Sequence, residues 1–301
     1  MQSVCVLMST YNGEKYLREQ IDSILNQKDV NVHLVVRDDG STDKTRDVLV
    51  EYGKEISVML QENVGCEKSF LELLHYQCDA DYYAFADQDD YWHPKKLINE
   101  ILAIETIEGP ALAACNLMVC DSRLLPIRIM HTDDDMDKLL IRMKRDYLHS
   151  MHGCVLLWNR KMHKYINMYR PECLVPHDVW VCLLANALGE VHILKKPYIH
   201  YRLHDNNVSG YATNRIDRLK KGIRLYLGTG HMERDCFAQE VLKGYSEWLD
   251  AKSEGYKFLQ MLSTYKTNLG SKIRLLNSKK IKEADWKERI FWRICICLNK
   301  Y

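Results

Sequence analysis

Short apolar runs alternate with amphipathic stretches along the first third of the chain. Val4–Met8, Val32–Val36, Ile56–Leu60 and Tyr82–Ala86 each form such a run, and continuous apolar runs of this length read as strands buried on both faces. Tyr16, Leu17, Gln20, Ile21, Ile24 and Leu25 recur at helical spacing, which predicts an amphipathic helix over 14–27. Further helices are predicted over 41–52, opened by Ser41, and over 68–78. Strand–helix alternation of this kind implies a parallel sheet covered on both faces. In such sheets ligands gather beyond the carboxyl ends of the strands. The polar clusters at 9–13, 37–41 and 87–90 each follow a strand directly, so all three are expected to meet at one cleft.

Further on, a helix is predicted over 95–105, strands over 111–119, 154–158 and 191–194, and a helix over 177–187. Residues 121–150 are charged and irregular, and read as a loop with a short helix over the cleft. From 214 onward the pattern is helical, with a Gly-rich break at 228–230. The predicted division is therefore a catalytic domain over 1–212 and a helical, basic region over 213–301.

Composition narrows the classes. The 301 residues are 47% hydrophobic and 28% charged, the balance of a soluble globular protein. No run approaches the roughly 20 apolar residues of a spanning helix, and no basic leader precedes the first strand. The 11 cysteines show no CxxC spacing, which indicates neither zinc nor a disulfide framework and fits a reducing cytosol. The net charge of +1 hides a split: residues 211–301 hold 19 basic and 10 acidic side chains, and the first 210 hold 23 and 31. That division points to an acidic catalytic body, not to a nucleic-acid binder, with a basic tail near something anionic.

Asp87-Gln88-Asp89-Asp90 carries the sharpest chemistry. Three carboxylates in four residues repel one another unless a cation neutralises them. Asp87 and Asp89 suit a hard divalent ion, Mg2+ or Mn2+, shared with a diphosphate. The plainer reading is a solvated acidic turn capping the next helix. Asp38-Asp39-Gly40-Ser41 offers Asp39 to a base-edge N–H or, more simply, a turn and a cap. Ser9-Thr10-Tyr11-Asn12-Gly13 presents backbone N–H groups and one aromatic face. It has neither the GxGxxG fingerprint nor the Walker lysine, which disfavours a dehydrogenase or a P-loop enzyme.

Together the segments S-T-Y-N-G-E-K-Y-L at 9–17, R-D-D-G-S-T-D at 37–43 and A-D-Q-D-D-Y-W at 86–92 resemble family 2 nucleotide-sugar glycosyltransferases of the GT-A fold, through roughly residue 210. The resemblance implies an α/β, Rossmann-like, mixed and mainly parallel sheet. It assigns Thr10, Tyr11, Asn12 and Asp39 to the base and ribose, with Glu14 or Arg37 nearby. Asn63 and Gly65 correspond to an N-x-G turn under the nucleotide, and Asp87 and Asp89 to the D-x-D element holding metal and diphosphate. His177-Asp178 stands where the family shows an acidic pair, with His in the first position here, and Asp178 is the implied catalytic base; its alternative role is a helix cap.

The segment H-Y-R-L-H-D-N-N-V at 200–208 is similar to that of bacterial polysaccharide rhamnosyltransferases in the same family. It offers His204 to the metal or diphosphate, with Arg202 to neutralise phosphate charge and Asn207 beside them. Gly153 would allow close approach to the donor sugar. Trp92 and Trp180 are either sugar-stacking platforms or core. The implied reaction is an inverting, metal-dependent transfer, with dTDP-L-rhamnose the favoured donor and a UDP-hexose the alternative. The implied acceptor is a polysaccharide or lipid-linked oligosaccharide in surface glycan synthesis.

The tail carries Lys279-Lys280-Ile281-Lys282, then Trp286, Ile290, Phe291, Ile294, Ile296 and Leu298 interleaved with Lys287, Arg289 and Arg293. This is the pattern of a helix lying on an anionic membrane face at the cytoplasmic side, packing on the catalytic domain, or pairing in a homodimer. A sugar-nucleotide nucleotidyltransferase and a non-catalytic sugar-nucleotide-binding protein are the rival classes. The first normally has a Gly-rich basic loop after strand one, absent at 9–17, and the second needs no base.

Overall fold

The computed structural model describes residues 1–147, 150–204, 234–284 and 286–301. They divide into two compact units. The first comprises residues 1–143, 150–170 and 176–204, and the second residues 144–147, 171–175, 234–284 and 286–301. The second thus takes in two short pieces from within the first 212 residues.

The first unit is built on one nine-stranded sheet. Its strands are β1 (Gln2–Thr10), β2 (Val30–Asp39), β3 (Ile56–Gln61), β4 (Tyr82–Ala86), β5 (Tyr91–Trp92), β6 (Ala111–Cys120), β7 (Pro126–Ile129), β8 (Leu156–Asn159) and β9 (Glu190–Arg202). The order is β3-β2-β1-β4-β8-β6-β9-β5, with β7 on β6. From β3 to β4 every pairing is parallel, as the alternating pattern predicts. Val4–Met8 and all of β4 are buried, because helices cover both faces of a parallel sheet.

Beyond β4 the sheet becomes mixed. β8 runs antiparallel to both β4 and β6, while β9 returns parallel to β6 over its full length. Residues 121–150, expected to be a loop with a short helix, contain the strand β7 and the 14-residue helix α5 (Asp133–Asp146). The expected strand at 154–158 starts with a 3-10 turn over Gly153–Val155.

The other helices of this unit are α1 (Leu17–Leu25), α2 (Thr45–Glu51), α3 (Cys66–Leu74), α4 (Lys96–Ile104), α6 (Arg160–Met168) and α7 (His177–Leu188). α1 buries Leu17, Gln20, Ile21 and Ile24, one face of the predicted periodicity. α6, outside the predicted helices, is amphipathic and buries Met162, His163 and Ile166 on one face. It has a clear start signal, since the Asn159 side chain accepts from the Met162 N–H at 2.9 Å. Ser41 does not cap α2. That helix begins at Thr45, and the Ser41 hydroxyl accepts instead from the Asn12 N–H at 3.0 Å.

The second unit carries α8 (Arg234–Tyr245), α9 (Glu254–Thr264), α10 (Leu269–Leu276), α11 (Lys279–Glu283) and α12 (Trp286–Cys297). Ser253 and Asn268 cap α9 and α10 by accepting from the N–H groups of Tyr256 and Ser271. Lys280, expected on a basic surface, is buried, its Nζ 5.0 Å from the centroid of the Trp292 ring. No described helix is long and apolar enough to cross a membrane.

Candidate active site

Three strand ends build the floor of the site. β1, β2 and β4 finish at Thr10, Asp39 and Ala86, and the loops after them are tied together by side chains. Gln88 holds the first loop to the acidic turn. Its Oε1 accepts from the Thr10 hydroxyl (2.6 Å) and the Tyr11 N–H (3.0 Å), and its Nε2 donates to the Tyr11 carbonyl. A Cβ on Gly13 would lie 2.3 Å from that same Oε1, so a larger residue there would displace the Gln88 amide. The Asn12 side chain accepts from the Thr42 N–H (2.9 Å), and that of Glu14 from the Lys44 N–H (2.9 Å), which joins the first loop to the second.

Asp39 is buried, and its carboxylate accepts from the backbone N–H groups of Val64 and Gly65, both at 2.9 Å. Arg37 clamps it from the other side and reaches Glu72 at 2.9 Å. The N-x-G turn thus hangs on Asp39. Gly65 stands at φ +87°, a left-handed value that favours glycine, while Asn63 is exposed and its backbone crowds Gly40. Tyr11 is 46% exposed at the mouth, which leaves its ring face available for a base.

The acidic turn is underpinned by β9. Directly after Asp90, β5 pairs antiparallel with β9, Tyr91 opposite His200, and this brings the next turn of the chain onto the carboxylates. The Arg202 N–H donates to Asp90 Oδ1 (3.0 Å), its Nε to the Asp89 carbonyl (2.7 Å), and its guanidinium also meets Ser122 and Glu19. Arg202, expected to neutralise phosphate, is therefore 3% exposed and engaged with the protein; its role is to position the acidic turn. His204 Nε2 lies 2.8 Å from Asp89 Oδ2.

The electrostatics are those of an uncompensated acidic pocket. Burial first, then the charges of Asp89 and Asp178, push the Asp87 carboxyl up to about 7. Burial also raises Asp90, whose Oδ2 has no hydrogen-bond partner among the described residues. Asp178, in the first turn of α7, accepts from the Val179 N–H at 2.7 Å. Burial raises its carboxyl to about 6.

The acidic groups also act on Cys66, at the head of α3. Its thiol is pushed up to about 12 by burial of the sulfur and then by the charges of Asp87, Glu67, Asp178 and Asp39. His177 stacks on Phe70 at 4.0 Å between centroids and packs edge-on to Phe85. Burial drives its imidazole down to about 3, so it is neutral.

Two expectations fail on burial. Trp92 and Trp180 are both fully buried and have no face to offer a sugar; Trp92 packs under Lys96, 4.0 Å from the ring centroid. Thr10 is buried as well, and its hydroxyl serves Gln88, not a ligand. The close approach at Gly153 is to His177, whose Nε2 would lie 2.5 Å from an added Cβ. Asn207 lies outside the described residues. Residue-by-residue reading missed Gln88, Cys66, Glu67 and the Arg37–Asp39 clamp; Gln88 stood inside the acidic motif, but only geometry gives it a role.

The carboxyl edge of the sheet thus carries a loop with an exposed tyrosine, an acidic turn and, at the start of α7, a partly buried carboxylate. The family model of glycosyl transferase family 2 matches residues 5–166, and the chain belongs to that family. Among its relatives, the dTDP-rhamnosyl transferase RfbG of Shigella flexneri is 30% identical over 223 residues, 67% of this chain and 73% of its own. An uncharacterised glycosyltransferase of Rickettsia typhi is 26% identical over 220 residues, 71% of this chain and 68% of its own. S. aureus TarS residues 1–349, solved in complex with UDP-GlcNAc, superposes with a TM-score of 0.59 at 20% identity, covering 92% of this chain and 79% of that one. The mannosyltransferase PcManGT from Pyrobaculum calidifontis, solved with GDP-Man and Mn2+, gives a TM-score of 0.52 at 14% identity, over 99% and 86%. The GT-A fold and glycosyltransferase class follow.

Proposed function

We propose that this chain is an inverting glycosyltransferase that moves a sugar from a nucleoside diphosphate to an acceptor hydroxyl, with dTDP-L-rhamnose the preferred donor. The observation that carries the proposal is the joining of the loops after β1, β2 and β4 through Gln88, Asn12 and Glu14, with the acidic turn Asp87–Asp90 held against the end of β9. In this reading the Tyr11 ring and the Asp39 region receive base and ribose, Asn12, Glu14, Asn63 and Gly65 form the surrounding loops, and Asp178 takes the proton from the acceptor hydroxyl. A carboxyl raised to about 6 is ionised at neutral pH, yet basic enough to serve as a general base.

The acidic turn fits a hard divalent cation, Mg2+ or Mn2+. Burial and then the charge of Asp89 raise Asp87, and Asp90 Oδ2 has no hydrogen-bond partner among the described residues, a donor set of oxygens suited to such ions. Asp87 and Asp89 would hold it, with His204 beside Asp89. When bound, such a cation offsets charge developing on the leaving diphosphate. PcManGT was solved with Mn2+, which supports a cation here.

Similarity to RfbG favours rhamnose. The UDP-GlcNAc bound by TarS keeps a UDP-hexose as the second reading. The second unit exposes Trp286, Ile290, Phe291, Ile294 and Leu298 along α12 and just past its end. That stripe, with the basic balance of residues 211–301, supports peripheral contact with the cytoplasmic membrane face and a lipid-linked glycan acceptor in surface polysaccharide assembly. Pairing in a dimer is the other use of such a stripe.

Thermal shift with Mn2+ against a set of nucleotide sugars tests the donor, since a ligand of the native state raises stability by RT ln(1 + [L]/Kd). dTDP-L-rhamnose is expected to give the largest rise, with nucleoside diphosphate released as sugar is transferred. Pyrophosphate release instead identifies a nucleotidyltransferase, and binding without turnover on any acceptor a non-catalytic protein.

A further inference from the structure

The amino-terminal halves of β1 and β2 bring together three residues that the transfer reaction does not use. Cys5 and His33 are register partners on these parallel strands, so their side chains stand side by side on one face of the sheet. Cys78, in the connection from α3 to β4, folds over the same face. Its carbonyl accepts from the Tyr83 hydroxyl at 2.6 Å, which fixes the loop. The two sulfurs and a ring nitrogen lie within 4.8 Å of one another.

We propose that Cys5, His33 and Cys78 form a binding site for a thiophilic divalent cation of the Zn2+ class, separate from the acidic turn. Zn–S bonds of about 2.3 Å and Zn–N bonds of about 2.0 Å at tetrahedral angles separate sulfur from nitrogen by about 3.5 Å. Cys78 Sγ lies 3.3 Å from His33 Nδ1, so the pair is already spaced for a shared ion. His33 Nε2 is 2.9 Å from the Ser57 hydroxyl. An outer partner on the second ring nitrogen is the arrangement that orients a ligating histidine. Two sulfurs and an imidazole select borderline-soft ions over Mg2+ or Mn2+.

Cys5 is buried, Cys78 is half-buried and His33 is exposed, so ions enter from the solvent side and the fourth position is left to water. Bound there, the ion ties the α3–β4 connection to β1 and β2.

The full chain, free of any histidine tag and kept reduced with a phosphine, is titrated with Co2+ and followed by absorption. One equivalent is expected to give the thiolate charge-transfer band and strong tetrahedral d–d bands, both removed by Zn2+. Cys78→Ser and His33→Ala are expected to abolish them, Ser57→Ala to weaken binding about tenfold, and Cys236→Ser to leave them intact. The last control separates this site from the Cys173–Cys236–Glu240 cluster of the second unit. Far-UV circular dichroism and Mn2+-dependent donor binding check that the variants stay folded. A spectrum without a thiolate band overturns the proposal, and so does one that survives in Cys78→Ser. Recovery of a Cys5–Cys78 disulfide from protein that takes up no Co2+ also overturns it.

Discussion

The two ends of the β1–β2 pair use the same strands for opposite chemistry. At the carboxyl end the side chains that converge are carboxylates: Asp39, Asp87, Asp89 and Asp178. Toward the amino end they are sulfur and imidazole: Cys5, His33 and Cys78. Hard oxygen donors select Mg2+ or Mn2+, and softer donors select Zn2+-class ions. The lesson is that a parallel sheet exposes two rows of neighbouring side chains. Strand register sets which side chains of β1 and β2 stand together, and the connections that fold over the sheet bring the remaining donors to them.

The largest effect expected is from Asp89→Ala. It removes one carboxylate of the acidic turn and the partner of His204, so Mn2+-dependent donor binding should vanish in calorimetry. Co2+ uptake by the thiol site should be unchanged. A parallel loss of both would mean that the two ends are not independent. Next comes Asp178→Asn, which keeps the shape of the side chain and removes its basicity. Turnover should fall on the order of 10²–10⁴-fold, the usual contribution of a general base, while donor affinity stays near that of the native enzyme. Retained turnover assigns the base to another residue.

The carboxyl end was legible in the sequence because its signals are local. β4 begins and ends at the predicted residues, α7 starts at His177, and the three polar clusters sit where strands stop. What stayed hidden depends on partners distant in the chain. β5 has two residues, too few for any period, and exists because β9 pairs with it. Without β5, nothing in the sequence says that Arg202 is buried against Asp89 and Asp90. Trp92 and Trp180 carry no mark of which face they take. Cys5, His33 and Cys78 were hidden for the same reason: spacing rules detect ligands on one turn, and these come from two strands joined by register and a connection folded over them.

Gly153→Ala sharpens the picture of how tightly the carboxyl end is packed. The added Cβ would sit 2.5 Å from His177 Nε2, and His177 is wedged against Phe70 and Phe85. Overpacking of this kind costs about 1–3 kcal/mol. A lower melting temperature is expected, together with reduced turnover, because His177 adjoins Asp178. Unchanged stability would show that the ring has room to move.

The smallest effect is a pH dependence in which two adjacent residues oppose each other. Asp178 in the folded protein is raised to about 6, so turnover should fall about tenfold per unit below that pH as the base is protonated. For stability the signs differ. A carboxyl raised on folding binds more protons in the native state, so its contribution is present at low pH and lost as pH rises toward about 6. His177 is lowered from 6.5 to about 3. The unfolded chain therefore binds its proton first, and stability is lost as pH falls from about 6.5 toward 3. His177→Gln removes that loss, so as pH drops from 6 to 4 the melting temperature of the variant should fall less, or rise more, than that of the native protein. Equal acid sensitivity in both proteins would show that His177 is not held neutral by the fold, and would take away the apolar wall that raises its neighbour Asp178.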